Sequence, residues 1–376
     1  MKKLLSVILT LAMVLSLVAC GGQKTSSADG AAPAASSNKE TFELALVTDL
    51  GTIDDKSFNQ GAWEGLTKYA SAHNIPCKYY QPQEAGTNAY FETIELAIEG
   101  GANLVVCPGY LFEEPVYLAQ DKYPDVHFIL LDGEPHNADY SDFKTGANTM
   151  PILYQEDQAG FLAGYAACKD GNTKFGFLGG MAVPAVIRFG LGYVQGIDAA
   201  AKELGVNCDV MYNYTGQFAA TPEAQSLAAS WYNSGTQVVF GCGGAVGNSA
   251  MAAAEAKNQQ EGGFVAKVIG VDVDQYSESD TVITSAIKLL SNSVNDAVTM
   301  YYDGNFPGGR TSKFNVKNNG VGAAMDHAKF DSFTKADYDE TYAKLQNDEF
   351  TLMNDVSESD PSKALTLSNT KVTFIQ

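Results

Sequence analysis

The chain has 376 residues and carries 44 acidic against 24 basic side chains, a net charge of −20 at neutral pH. That balance argues against nucleic acid as a partner and against adhesion to anionic lipid through surface charge. Length alone leaves room for two domains once a leader is removed.

The first segment reads as an export signal. Lys2 and Lys3 precede a nearly unbroken apolar run from Leu4 to Val18, too short for a comfortable membrane-spanning helix. It ends in Leu17-Val18-Ala19-Cys20. Small residues before a cysteine suit a lipoprotein signal peptidase, so residues 1–19 are expected to be the signal peptide and Cys20 the lipidated first residue. An ordinary secretory signal with an incidental cysteine is the plainer alternative. Gly21-Gly22 and a polar stretch follow at once, which favours the lipoprotein. Residues 20–40 are rich in Ser, Ala and Gly, cannot build a core, and read as a flexible tether. The expected location is the extracytoplasmic face of the cell membrane, held by acyl chains that each contribute about 0.8 kcal/mol per buried methylene.

Beyond the tether, short apolar runs alternate with amphipathic stretches. Strands are expected at Phe42–Thr48, Leu104–Cys107, Val126–Leu131, Lys174–Leu178, Gln237–Phe240 and Val268–Val271, all rich in Val, Ile, Leu and Phe. Helical patterns carry Trp63, Leu66 and Ala70, then Phe161 to Ala166, then Ala250 to Lys257. Alternation of this kind implies parallel α/β sheets with right-handed crossovers. The pattern occurs twice, before about residue 149 and again from Pro151, and ligands bind such sheets outside the carboxyl ends of the strands. Two such domains facing each other make a cleft, in a hinged binding protein or in a two-domain enzyme.

Polar or glycine-rich segments close several strands. Asp49 to Gln60 ends one strand and opens a helix. Asp55 or Ser57 there can cap the helix, or Asp49, Asp55, Phe58 and Asn59 can face a ligand; the residues alone leave both readings open. Gly176 to Gly180 leads into Met181 to Gly190, where Phe189 is either core or a second aromatic plate. Gly241-Cys242-Gly243-Gly244-Ala245-Val246-Gly247 is similar to a dinucleotide fingerprint, but Val246 holds the sixth position and no acidic residue is well placed downstream. A glycine-rich turn lining a cleft fits better. Val268 to Gln275 ends in carboxylates without the glycine that an EF-hand loop needs; Asp272 at a strand end is suited to accept sugar hydroxyls, at roughly 1.5–3 kcal/mol per charge-assisted bond.

The histidines His73, His127, His136 and His327 are isolated, and neither a nucleophile elbow nor a Walker A loop is present. No cofactor or metal is expected. Cys77, Cys107, Cys168, Cys208 and Cys242 are scattered and odd in number, which fits free, mostly buried thiols and leaves one disulfide open.

Several of these segments together resemble the basic membrane protein family of bacterial lipoproteins, the substrate-binding components of ABC transporters for purine nucleosides. The resemblance rests on Asp54 to Gly65, Tyr154 to Gly164, Gly176 to Gly180, Gly270 to Gln275 and Ser285-Ala286-Ile287-Lys288. It implies a type I periplasmic binding protein, with two Rossmann-like lobes of parallel sheet flanked by helices and joined by a three-stranded hinge. The lobes would comprise 41–149 with 275–310, and 150–274 with 311–376. By the same resemblance Phe58 and Phe189 would stack on the base. Asp55 and Asn59 would meet its edge, Asp272 the ribose, and Lys288 would lie on the hinge side, with Asp49 and Gly244 as second choices. The implied protein is a monomer and not an enzyme, with an ABC permease and its ATPase as partners. A receptor for a sugar or other small polar ligand, and an exported nucleosidase, are the rival readings.

Overall fold

The computed structural model describes residues 43–375. The expected signal peptide, Cys20 and the tether lie outside the described residues. Fully apolar strands need cover on both faces, and the fold supplies it with two parallel sheets, each flanked by helices. In chain order the strands are β1 (Leu44–Val47), β2 (Cys77–Tyr80), β3 (Leu104–Pro108), β4 (His127–Leu131), β5 (Thr149–Tyr154), β6 (Lys174–Gly179) and β7 (Cys208–Tyr214). They continue as β8 (Val238–Cys242), β9 (Lys267–Asp272), β10 (Val282–Lys288), β11 (Ser312–Phe314), β12 (Val321–Ala323) and β13 (Thr370–Phe374). The main helices are α1 (Phe58–His73), α2 (Thr87–Glu99), α3 (Glu113–Lys122), α4 (Glu156–Lys169), α5 (Pro184–Leu204), α6 (Pro222–Asn233), α7 (Val246–Glu261), α8 (Leu290–Tyr302) and α9 (Lys335–Gln346). None of the described helices is long and apolar enough to cross a membrane.

The first sheet has the order β11-β5-β4-β3-β1-β2 and the second β12-β10-β9-β8-β6-β7-β13. Both therefore contain the doubly wound order, with the reversal beside β1 in one and β6 in the other. Only β12 runs antiparallel to its neighbour. Crevices form at such reversals, outside the carboxyl ends of the strands.

The chain passes between the lobes after Tyr154, after Lys288 and after Phe314. Hydrogen bonds tie these crossings together: Gln155 N–H donates to the Phe314 carbonyl at 2.9 Å and Leu289 N–H to the Gly320 carbonyl at 3.0 Å. The crossings lie later than the boundaries at 149/150, 274/275 and 310/311 expected from sequence. Strand β10 pairs with β9 along Val282–Ile287 and so stays with the second lobe. Its Thr284 and Ser285 break the apolar run by which the other strands are legible, although both are buried.

Helices α4 and α5 pack backbone against backbone. Gly160 and Gly164 on α4 face Gly192 and Gly196 on α5, each spaced by one turn. A Cβ at Gly160 would run into the Phe189 carbonyl, and one at Gly192 into that of Asp157. The contact fixes where α4 begins and which way the first turns of α5 face. Gly192→Ala is therefore expected to cost about 1–3 kcal/mol, because the neighbour that must yield is backbone. Urea unfolding measures this, and a change below about 0.5 kcal/mol, the usual size of a neutral surface substitution, would refute so close a packing.

Candidate functional site

On the first lobe the loop after β1 wraps its own polar groups inward. Asp49 Oδ1 accepts from Gly51 N–H at 2.7 Å and from Asn59 Nδ2 at 2.9 Å. Asp55 accepts the backbone N–H groups of Ser57, Asn59 and Gln60 at 2.8, 3.0 and 3.1 Å. Those are orphan donors of the first turn of α1, so Asp55 builds the helix start. Burial pushes its carboxyl up to about 6, against the opposite pull of those donors. Past this turn, Phe58 and Asn59, the first two residues of α1, lie in the cleft wall. Asn59 is buried, and its Oδ1 has no hydrogen-bond partner among the described residues.

On the second lobe, two glycine turns make a flat floor. A Cβ on Gly180 would lie 2.5 Å from the Phe218 ring and one on Gly243 3.0 Å from it. The glycines after β6 and β8 thus admit the loop Gly216 to Ala220, pinned where Ala245 N–H donates to the Phe218 carbonyl at 2.9 Å. Phe189 projects from the second turn of α5 and is buried.

Between the lobes lies a buried charge cluster. Lys288, at the end of β10, places Nζ 2.5 Å from Asp132 Oδ2, 3.2 Å from Glu156 Oε1 and 3.9 Å from Asp272 Oδ1. Arg188 Nε pairs with the other Glu156 oxygen at 2.5 Å. Ser57 Oγ, on the first lobe, donates to Asp272 Oδ2 at 2.6 Å. Three rings surround the same ammonium, with Phe58 at 4.9 Å, Phe189 at 5.1 Å and Tyr154 at 5.4 Å from Nζ to the ring centre. Burial opposes the charge on Lys288, yet the three carboxylates outweigh it and raise its pKa. Burial pushes Asp132 up to about 7, with Lys288 pulling down and Glu156 pushing up. Burial likewise raises Asp272 in spite of Lys288 and Ser57. For Glu156, burial is outweighed by Arg188 and Lys288, which hold it below the ordinary value.

Asp132 and Asp272 close β4 and β9 in the same way. Both adopt left-handed backbone, with φ of 59° and 67°, a conformation that aspartate tolerates better than most residues. The turn at the strand end brings each carboxylate into the space between the lobes. Asp132 Oδ1, like Asn59 Oδ1, is buried without a hydrogen-bond partner among the described residues.

A cavity of about 650 Å³ joins these groups, and each candidate residue lines it: Asp49, Asp55, Phe58, Asn59, Phe189, Gly244, Asp272 and Lys288. Asp132, Tyr90, Tyr110 and Phe218 line it too and were not picked from the sequence. Asp132 carries the signal used for Asp272, an apolar strand ending in aspartate. Tyr110, whose hydroxyl meets Met181 Sδ across the cleft at 3.7 Å, has no signal that periodicity could find.

Removing Lys288 would leave buried carboxylates without their cation. Lys288→Met is expected to cost about 3–5 kcal/mol near pH 8. The loss should shrink towards pH 5: carboxylates deprived of Lys288 bind protons more readily in the folded state, so lowering the pH favours the variant relative to wild type. Chemical unfolding at both pH values checks it; an equal loss at both would overturn the assignment of Lys288 as counter-ion.

Residues 42–356 match the family model described as Bmp, ABC transporter substrate-binding protein PnrA-like. The chain is 31% identical over 336 residues to the ABC transporter nucleoside-binding protein BmpA of Lactococcus lactis subsp. cremoris, covering 85% of this chain and 90% of that protein. It is 30% identical over 315 residues to basic membrane protein A1 of Borrelia garinii subsp. bavariensis, covering 82% and 88%. Among solved structures, an ABC transporter solute-binding protein from Aeropyrum pernix K1 superposes with a TM-score of 0.74 at 19% identity, covering 86% of this chain and 96% of that one. Another from Conexibacter woesei gives 0.64 at 22%, covering 83% and 98%, and these two likenesses show the fold. The chain belongs to the Bmp family of PnrA-like ABC transporter substrate-binding proteins.

Proposed function

We propose that the cavity holds a purine nucleoside and that the protein, anchored through Cys20 outside the cell membrane, hands it unchanged to an ABC permease driven by its ATPase. The observation that carries this reading is the pairing of Phe58 and Phe189, one ring from each lobe, around a single ammonium and next to unpartnered acceptors. Two faces from opposite sides suit a flat base, and stacking contributes roughly 1–3 kcal/mol per base. Asn59 Oδ1 would meet a donor on the base edge. Asp132, with Asp272 beside it, would accept ribose hydroxyls, and Asp49, Asp55 and Gly244 would shape the wall around them. The name of the Lactococcus relative, a nucleoside-binding protein, supports the same reading. The protein would act as a monomer and without a cofactor.

The lining includes Asp49, Asp54, Asp55, Asp132 and Asp272, and Lys288, the one cation among the described lining residues, is already held by carboxylates. A neutral nucleoside fits this field and a nucleotide does not. Titration calorimetry should therefore find binding of adenosine or guanosine that adenosine monophosphate does not compete away. Phe58→Ala should weaken the nucleosides by about 1–3 kcal/mol. A folded Phe58→Ala protein that binds like wild type would sink the aromatic clamp.

Acidity supplies a second check. Asp132, faced by Lys288, Glu156 and Asp272, sits at about 7, so below that pH a ribose hydroxyl must compete with a proton for the carboxylate. Ribonucleoside affinity should rise about tenfold from pH 6 to pH 8, with a smaller change for free adenine. A flat profile for both ligands would remove Asp132 from the ribose contact. For the anchor, Cys20→Ser should abolish partition into detergent, since only the thiol forms the thioether; unchanged partition would refute lipidation there.

A further inference from the structure

Cys168 lies in the last turn of α4 and Cys208 opens β7. Their sulfurs stand 3.7 Å apart in the core of the second lobe, and both residues are buried. A disulfide needs about 2.05 Å between sulfurs, a gap that small side-chain rotations close. The other thiols are placed elsewhere. Cys77 and Cys107 sit on β2 and β3, which flank β1 on opposite sides. They are therefore two strand spacings apart, at least about 9.6 Å, and offset further along the strands, since Cys77 is level with Leu44 and Cys107 with Val47, beyond the reach of a disulfide. Cys242 lines the ligand cavity. An odd set of scattered cysteines thus resolves into one touching pair and three separated thiols.

We propose that Cys168 and Cys208 are a cross-linking site, oxidised to a disulfide outside the membrane by a small-molecule or protein disulfide. The Cys208 thiolate attacks a sulfur of the oxidant, forming a mixed disulfide and releasing one thiol of the oxidant. Cys168 then attacks the Cys208 sulfur and displaces the second. Two protons and two electrons leave the pair, and the oxidant is reduced to two thiols. The hydrogen bond from Cys168, the largest influence on Cys208, holds the Cys208 thiol below its ordinary pKa and so favours it as the attacking group. Both residues are at the ends of their elements, Cys168 in the last turn of α4 and Cys208 at the start of β7, so a local opening of those ends would admit the oxidant. The bond would span a separation of 40 residues, closing a loop that contains β6 and α5. It would clamp the far end of the helix whose first residue, Glu156, holds Lys288.

The test labels thiols in full-length protein recovered from its native cells without reductant. The protein is denatured in the presence of one alkylating reagent, then reduced and treated with an isotopically heavy one. Cys168 and Cys208 should carry only the heavy label, and an unreduced digest should contain their linked peptides. Cys77, Cys107 and Cys242 should carry the light label. Light label on Cys168 and Cys208, or a linked peptide joining any other pair, overturns the proposal. As a second measurement, purified reduced protein is equilibrated with oxidised glutathione as the electron acceptor. The melting temperature should rise by several degrees as the linked peptides appear, and Cys208→Ala should abolish that rise. Linked peptides without any rise would refute the clamp on α4.

Discussion

A lysine ammonium buried between two lobes is costly unless it is surrounded by opposite charge, and this constraint organises the molecule around Lys288. Its carboxylate partners come from separate parts of the chain: Asp132 from the end of a first-lobe strand, Glu156 from just past one crossing, and Asp272 from the end of a second-lobe strand. Lys288 itself precedes another crossing. The charges are satisfied together only when these segments meet in one arrangement. Buried ion pairs seldom add net stability over well-packed apolar groups. The contribution to expect of this cluster is therefore positional, a definite placement of the lobes around the cavity.

The backbone makes that placement possible by two devices. Aspartates in left-handed conformation terminate β4 and β9, so that a strand buried along its length delivers a carboxylate at its end. Glycines remove side chains where main chains must touch. Gly160 and Gly192 let α4 and α5 approach, setting Glu156 and Phe189 on adjoining turns, while Gly180 and Gly243 let the Phe218 loop lie flat against the ends of β6 and β8. The glycine-rich run after β8 is thereby accounted for by packing, without a phosphate to cradle.

The sequence makes one class of strand legible. β1, β3, β4, β6, β8 and β9 are buried on both faces, apart from His127 and Lys174 at the starts of β4 and β6, and read as apolar runs. Edge strand β2 is partly exposed, and β10 hides its burial behind Thr284 and Ser285, so neither has such a run. Missing β10 displaced the expected middle crossing. For the cavity wall, strand-end position was the legible signal at Asp272, and the start of a helix at Phe58 and Asn59. Glu156 and Arg188 carry no comparable mark. Their importance comes from meeting across α4 and α5, a tertiary fact that neither local spacing nor hydrophobic period encodes. Asp55 illustrates the converse: its position at the helix start was legible, but either role, cap or ligand contact, was compatible with it until the backbone donors to its oxygens were placed.

On the proposed reading, ligand capture and lobe placement use the same atoms. Asp132 turns one oxygen to Lys288 and keeps the other without a hydrogen-bond partner among the described residues, while Asp272 is engaged by Lys288 and by Ser57 from the opposite lobe. A hydroxyl donated to Asp132 would satisfy a buried acceptor whose isolation costs roughly 1–3 kcal/mol. It would also favour the ionised form of that carboxyl and strengthen its attraction for Lys288. Separating the lobes would break the Ser57–Asp272 bond and draw Asp132 away from a lysine that belongs to the second sheet. The ligand would thus favour the closed arrangement through the difference in its contacts between open and closed states, the one means by which any ligand can shift such an equilibrium.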